Sequence, residues 1–162
     1  MKTIFKYLLL SISIIATVFL FTSCDSDDNG DTTPPVINLI SPVEDGILKI
    51  GGEHGIHLDM ELSDNEMLSS YKVEIHNDFD GHTHTSSLKS AETTPFSFQK
   101  SWDLSGQKTA KIHHHEIIIP ENATPGNYHL MVYCTDAAGN ESYVARDIVL
   151  SHDGDDDDDH DH

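Results

Sequence analysis

The chain has 162 residues, of which 28 are acidic and nine are lysine or arginine, for a formal charge of −19. Such a surface repels nucleic acid and anionic lipid headgroups and attracts cations. Twelve histidines against two cysteines make a donor set that suits Zn(II), Cu(II) or Ni(II) better than Cu(I) or iron–sulfur clusters.

Lys2 and Lys6 precede an uncharged apolar run from Tyr7 to Phe21, followed by Thr22, Ser23 and Cys24. That is the layout of a secretory signal peptide, and the run is short for a membrane span. Thr22-Ser23-Cys24 resembles a bacterial lipobox, with Phe21 where leucine is more usual. The resemblance implies lipidation at Cys24, which anchors a chain to a membrane without a spanning helix. Asp25-Ser26-Asp27-Asp28 follow directly and resemble the surface-export signal of Bacteroidetes lipoproteins. The implied address is the outer membrane, its outer face in preference to the periplasmic one. The expected division is a signal peptide at 1–23, an acidic tether at 24–33, one folded domain at 34–151 and a tail at 152–162. Removing residues 1–23 leaves 7 basic against 28 acidic residues, a formal charge of −21.

The domain reads as short strands between turn residues. A first strand is expected at 36–41, after Pro34-Pro35. In 56–62, Ile56, Leu58, Met60 and Leu62 alternate with His57, Asp59 and Glu61, the pattern of a half-buried strand. The same alternation marks 71–77 and 127–135, and further strands are expected at 96–102, 112–119 and 142–150. Ser63-Asp64-Asn65 and Ala138-Gly139-Asn140 punctuate them. Seven short strands without helical periodicity predict an all-β, antiparallel sandwich of the immunoglobulin type. Cys134 falls in an apolar alternation and is expected as a buried, inert thiol. Asp155 to Asp159 with His160 and His162 cannot pack, and the tail is expected to be disordered.

Pro34-Pro35-Val36-Ile37, Ile119-Pro120 before Pro125-Gly126-Asn127-Tyr128, and Asp136-Ala137-Ala138-Gly139-Asn140 resemble bacterial immunoglobulin-like domains, with Tyr128 as the tyrosine-corner residue. His76-Asn77-Asp78-Phe79-Asp80-Gly81-His82-Thr83-His84, His113-His114-His115-Glu116 and Gly126-Asn127-Tyr128-His129 resemble an uncharacterised family of Bacteroidetes lipoproteins over residues 34–150. That resemblance implies fold and location and supplies no activity.

In an immunoglobulin-like sandwich, strands 71–77, 127–135 and 142–150 share one sheet, and 36–41, 56–62 and 112–119 share the other. His76, near the end of its strand, then lies beside His129, near the start of its neighbour. Both have the outward parity, at a cross-strand spacing that lets two imidazoles share a metal. The following loop supplies Asp78, Asp80, His82 and His84. The expected ligands are His76, His82 or His84, and His129, with a carboxylate such as Asp78 or a water completing a tetrahedral site. His113 and His115 share one face and His114 the other; the sequence does not say which is buried. They form a second site or join the first. His54 and His57 are expected accessories of the His76 site. Asp64, Asn65 and Asp136 read first as ordinary turn residues, and Ca²⁺ is the less favoured reading because no EF-hand spacing is present.

The expected function is metal capture, or handover to an outer-membrane uptake receptor, with zinc ahead of copper and nickel. The alternative is a non-enzymatic adhesion, spacer or glycan- and protein-recognition module, with Tyr71, Trp102, Tyr133 or Tyr143 lining its surface. A metallohydrolase is disfavoured. Glu116 or Asp78 would have to serve as general base, and neither sits in a His-Glu-x-x-His motif.

Overall fold

The computed structural model describes residues 30–78 and 93–154. Among them there is no helix. The strands are β1 (Val36–Ser41), β2 (Gly46–Lys49), β3 (Ile56–Ser63), β4 (Leu68–Asn77), β5 (Phe98–Asp103), β6 (Thr109–Ile117), β7 (Gly126–Asp136) and β8 (Glu141–Ser151). They form a three-stranded sheet, β1-β3-β6, and a five-stranded sheet, β2-β8-β7-β4-β5. This is the immunoglobulin-like partition: the six strands with an expected sheet lie in it, and the strand near 96–102 is at the edge of the larger sheet.

Alternation explains the partition. The inward residues of β3 are Leu58, Met60 and Leu62, and they face Val73 and Ile75 of β4, Leu130 and Val132 of β7, and Ile148 and Leu150 of β8. All are essentially without solvent exposure. A one-residue slip would turn each apolar set outward, so burial fixes the register. Tyr128 ties the start of β7 to the chain before it. Its hydroxyl donates to the Thr124 carbonyl at 2.8 Å and accepts from the Phe96 amide at 3.1 Å. That back-bond to a residue four positions upstream is the tyrosine-corner arrangement. Cys134 is buried, and burial pushes its thiol up to about 11, which keeps it protonated and inert.

Two features depart from the alternation. Strand β2 is unannounced in the sequence. It is four residues long with Leu48 inward, and it pairs parallel with β8, too short a stretch for periodicity to mark. On the other sheet, Leu58 pairs with His114 but Ile56 with Ile117, so β6 carries one extra residue opposite His57. This bulge changes the parity of β6 between His114 and Ile117. Ala110, Ile112 and His114 turn inward on one side of it and Ile117 on the other.

One open side of the sandwich is closed by polar contacts. Lys100 of β5 pairs with Glu116 of β6, and the Trp102 indole N–H donates to the same carboxylate at 3.2 Å. Both partners hold the Glu116 carboxyl below its usual range, Lys100 first. Glu116 is thus a fastener between sheet edges.

Candidate metal centre

The β3–β6 register builds the densest histidine group among the described residues. His57 and Asp59 stand two apart on the outer face of β3, and Asp59 lies directly opposite His113. His115, two residues on from His113, shares that face. His57 Nε2 and His113 Nδ1 are 3.3 Å apart. The His57 ring lies 4.8 Å from that of His113 and 5.0 Å from that of His115, centroid to centroid. One ligand atom each from His57, Asp59 and His113 falls within 4.8 Å of the others. His115 Nε2 is buried and has no hydrogen-bond partner. Two imidazole nitrogens on one tetrahedral Zn²⁺, at about 2.0–2.1 Å from the ion, stand roughly 3.3–3.4 Å apart. The His57–His113 separation matches that geometry and equally that of an N–H···N hydrogen bond between the two rings.

His114 belongs to the interior. Its Nε2 is 3.1 Å from the Tyr71 hydroxyl and its ring lies against Trp102 at 5.1 Å. Burial is the main reason its pKa is lowered from the ordinary imidazole value, and the same burial raises that of Tyr71. Tyr71 is only 3% exposed, which removes it from any recognition surface.

The second group sits on the outer face of the five-stranded sheet. His76 and His129 are direct cross-strand partners, with rings 5.5 Å apart. His129 is bracketed: Nδ1 is 2.7 Å from Asp147 and Nε2 is 3.3 Å from Asp78. A carboxylate on one ring nitrogen, directing the other outward, is the usual support behind a metal-binding histidine. It equally satisfies an imidazolium ion pair. His76, Asp78 and His129 do not bring three ligand atoms within 4.8 Å of one another. Asp80, His82, His84 and Cys24 lie outside the described residues.

The sequence reading placed His57 with the His76 group; in the fold it stands with His113 and His115. It did not single out Asp59 or Asp147. Asp59 had a usable signal, since His57-x-Asp59 on an alternating strand projects from one face. Asp147 had none short of the register that sets it opposite His129. Among the described residues a second converging group joins Asp31, Asp64 and Asp136.

Fold and surface together define an immunoglobulin-like sandwich with imidazole–carboxylate groups on the outer faces of both sheets. The chain belongs to the family described as Domain of unknown function (DUF4625), whose model matches residues 22–151. No curated protein matches it.

Proposed function

We propose that the chain is a membrane-anchored lipoprotein domain of the outer membrane, surface-facing, that captures a transition metal without catalysing a reaction. Zn²⁺ is the first choice and Cu²⁺ or Ni²⁺ fit the same donors. The observation that carries this reading is the 3.3 Å approach of His57 Nε2 to His113 Nδ1 beside Asp59. Imidazole and carboxylate with no thiolate form a site of borderline hardness, and His115 is at hand as a fourth ligand. The His76–His129 pair, with Asp78 and the chemistry of His82 and His84, supplies a second position. The excess of acidic residues raises the local cation concentration. Cys24 would bear the lipid, and an uptake receptor would take the metal on. No helix among the described residues is long and apolar enough to cross a membrane.

The test is a calorimetric Zn²⁺ titration of the whole chain in detergent, compared with His57→Ala/His113→Ala, His76→Ala/His129→Ala and a form ending at Gly154. The first pair should lower affinity at least tenfold, and the truncation should leave it unchanged. Affinity should fall steeply between pH 7 and pH 5.5, because a protonated imidazole cannot bind metal. Binding that survives the first double variant, or that ignores pH, would remove this site from consideration.

One observation favours a recognition module instead. Tyr133 and Tyr143 lie side by side on the outer face of the five-stranded sheet, 5.9 Å apart, with the Lys72 ammonium 4.1 Å above Tyr133. Aromatic surface of this kind suits a glycan or protein partner. Partner binding that persists in metal-stripped protein and is lost in Tyr143→Ala would establish it.

A further inference from the structure

A second cluster has different chemistry and does not involve histidine. Asp64 follows β3, Asp136 ends β7, and Asp31 comes from the segment before β1. One carboxylate oxygen from each lies within 4.8 Å of the others. Asp64 and Asp136 are 9% and 2% exposed. Buried charges are ordinarily paired or bound to metal, yet among the described residues no lysine, arginine or histidine forms an ion pair with any of the three.

The surrounding hydrogen bonds hold the carboxylates in place and leave oxygens over. Asp64 Oδ1 accepts from the Glu66 and Met67 amides, both at 2.8 Å. Asp31 Oδ1 accepts from Asn65 Nδ2 and the Thr33 amide, both at 3.0 Å. Asp136 accepts from the Asn140 amide at 2.8 Å and from its side chain at 2.7 Å. Asp64 Oδ2 and Asp31 Oδ2 are buried and accept nothing. The bonds from Asn65 and then Thr33 also hold the Asp31 carboxyl below its usual range, so it stays ionised.

We propose that Asp31, Asp64 and Asp136 bind one Ca²⁺, which clamps the segment before β1 to the β3–β4 and β7–β8 turns. An all-oxygen donor set selects a hard cation. Ca²⁺ accepts irregular all-oxygen coordination at about 2.3–2.6 Å, whereas Mg²⁺ demands a near-ideal octahedron and keeps several of its waters. A cation supplies the missing counter-charge and a partner for both orphaned oxygens. The clamp already has a protein component, because the Asn140 side chain donates to the Asp31 carbonyl at 2.9 Å. Filled, the site would hold Asp31 against both turns.

The experiment is equilibrium dialysis of the chelator-stripped whole chain in detergent against Ca²⁺, with bound ion per chain as the readout. A form ending at Gly154 removes the acidic tail, which would otherwise bind Ca²⁺ on its own. One Ca²⁺ per chain is expected without the tail, with a dissociation constant of about 10⁻⁴–10⁻³ M, the range of extracellular modules. Asp64→Asn and Asp31→Ala should each weaken binding at least tenfold, while His57→Ala/His113→Ala should not change it. Asp31 lies outside the strands, so Asp31→Ala decides the matter even where Asp64→Asn folds poorly. No saturable binding in the tail-free form up to about 10 mM, or binding undiminished in Asp31→Ala, would overturn the assignment.

Discussion

His114 shows how three identical neighbours acquire different chemistry. His113 and His115 face outward beside His57, while His114 meets the Tyr71 hydroxyl between the sheets. Burial favours its neutral ring, so the unfolded chain binds a proton there more readily than the folded one. By linkage, stability then rises with pH across the interval between the lowered pKa and the ordinary value of about 6.5. The contribution is complete above that ordinary value and is lost as pH falls through the window. Urea unfolding in the presence of chelator should therefore show a smaller loss from pH 7.5 to pH 5.5 for His114→Gln than for the wild type. An equal loss in both would mean that His114 does not couple folding to protons. The pairing of His76 with His129 was legible in the sequence, because both occupy the polar parity of neighbouring strands. The partnership of His57 with His113 was not, because it needs the β3–β6 register, which sets Asp59 opposite His113 just before the β6 bulge.

That bulge is an element-scale device, and a glycine makes room for it. Gly55 has φ of +77°, a left-handed conformation that L residues rarely adopt. A Cβ there would meet the His115 and Ile117 carbonyl oxygens. Gly55→Ala should cost more than about 1 kcal/mol, since it combines a disfavoured φ with a clash. It should also weaken Zn²⁺ binding, because the backbone carrying His115 must shift. Thermal unfolding and Zn²⁺ titration of the same variant check both parts; an unchanged affinity would separate the bulge from the site. Bulges re-aim side chains, and here the extra residue accounts for parity that the sequence left open. Ile117 and His114 both face inward although they are three residues apart. The seven expected strands are present, with ends displaced where other bonds win. Phe96 is drawn off to the Tyr128 hydroxyl, and Ile119 accepts from the Gly51 amide instead of extending β6.

For the molecule as a whole, a single apolar layer between two sheets bears the stability, and the polar side chains are left to the outer faces. Leu130 is fully buried at the centre of that layer. Leu130→Ala should cost about 2–5 kcal/mol, the range for a core leucine whose cavity cannot fully collapse. Denaturant unfolding measures it, and a value below about 1 kcal/mol would mean the sheets close over the gap. The proposed position at His57 and His113 and the one at Asp31, Asp64 and Asp136 draw on separate donor sets, imidazole with carboxylate on the β3–β6 face and carboxylate alone beside the β3–β4 turn. Each can therefore be removed without touching the other.

The sequence by itself determined the sandwich class and the buried state of Cys134, which follow from period-two burial and turn chemistry, local features that repeat along the chain. The sheets of six of the seven expected strands and the corner role of Tyr128 came with the resemblance to immunoglobulin-like domains. Tertiary structure alone decided which histidines share a face, that Glu116 fastens two sheet edges, and that Asp31 meets Asp64 and Asp136. Such contacts join residues far apart in the chain, through a register set by core packing and altered by one inserted residue. A local pattern carries no record of either.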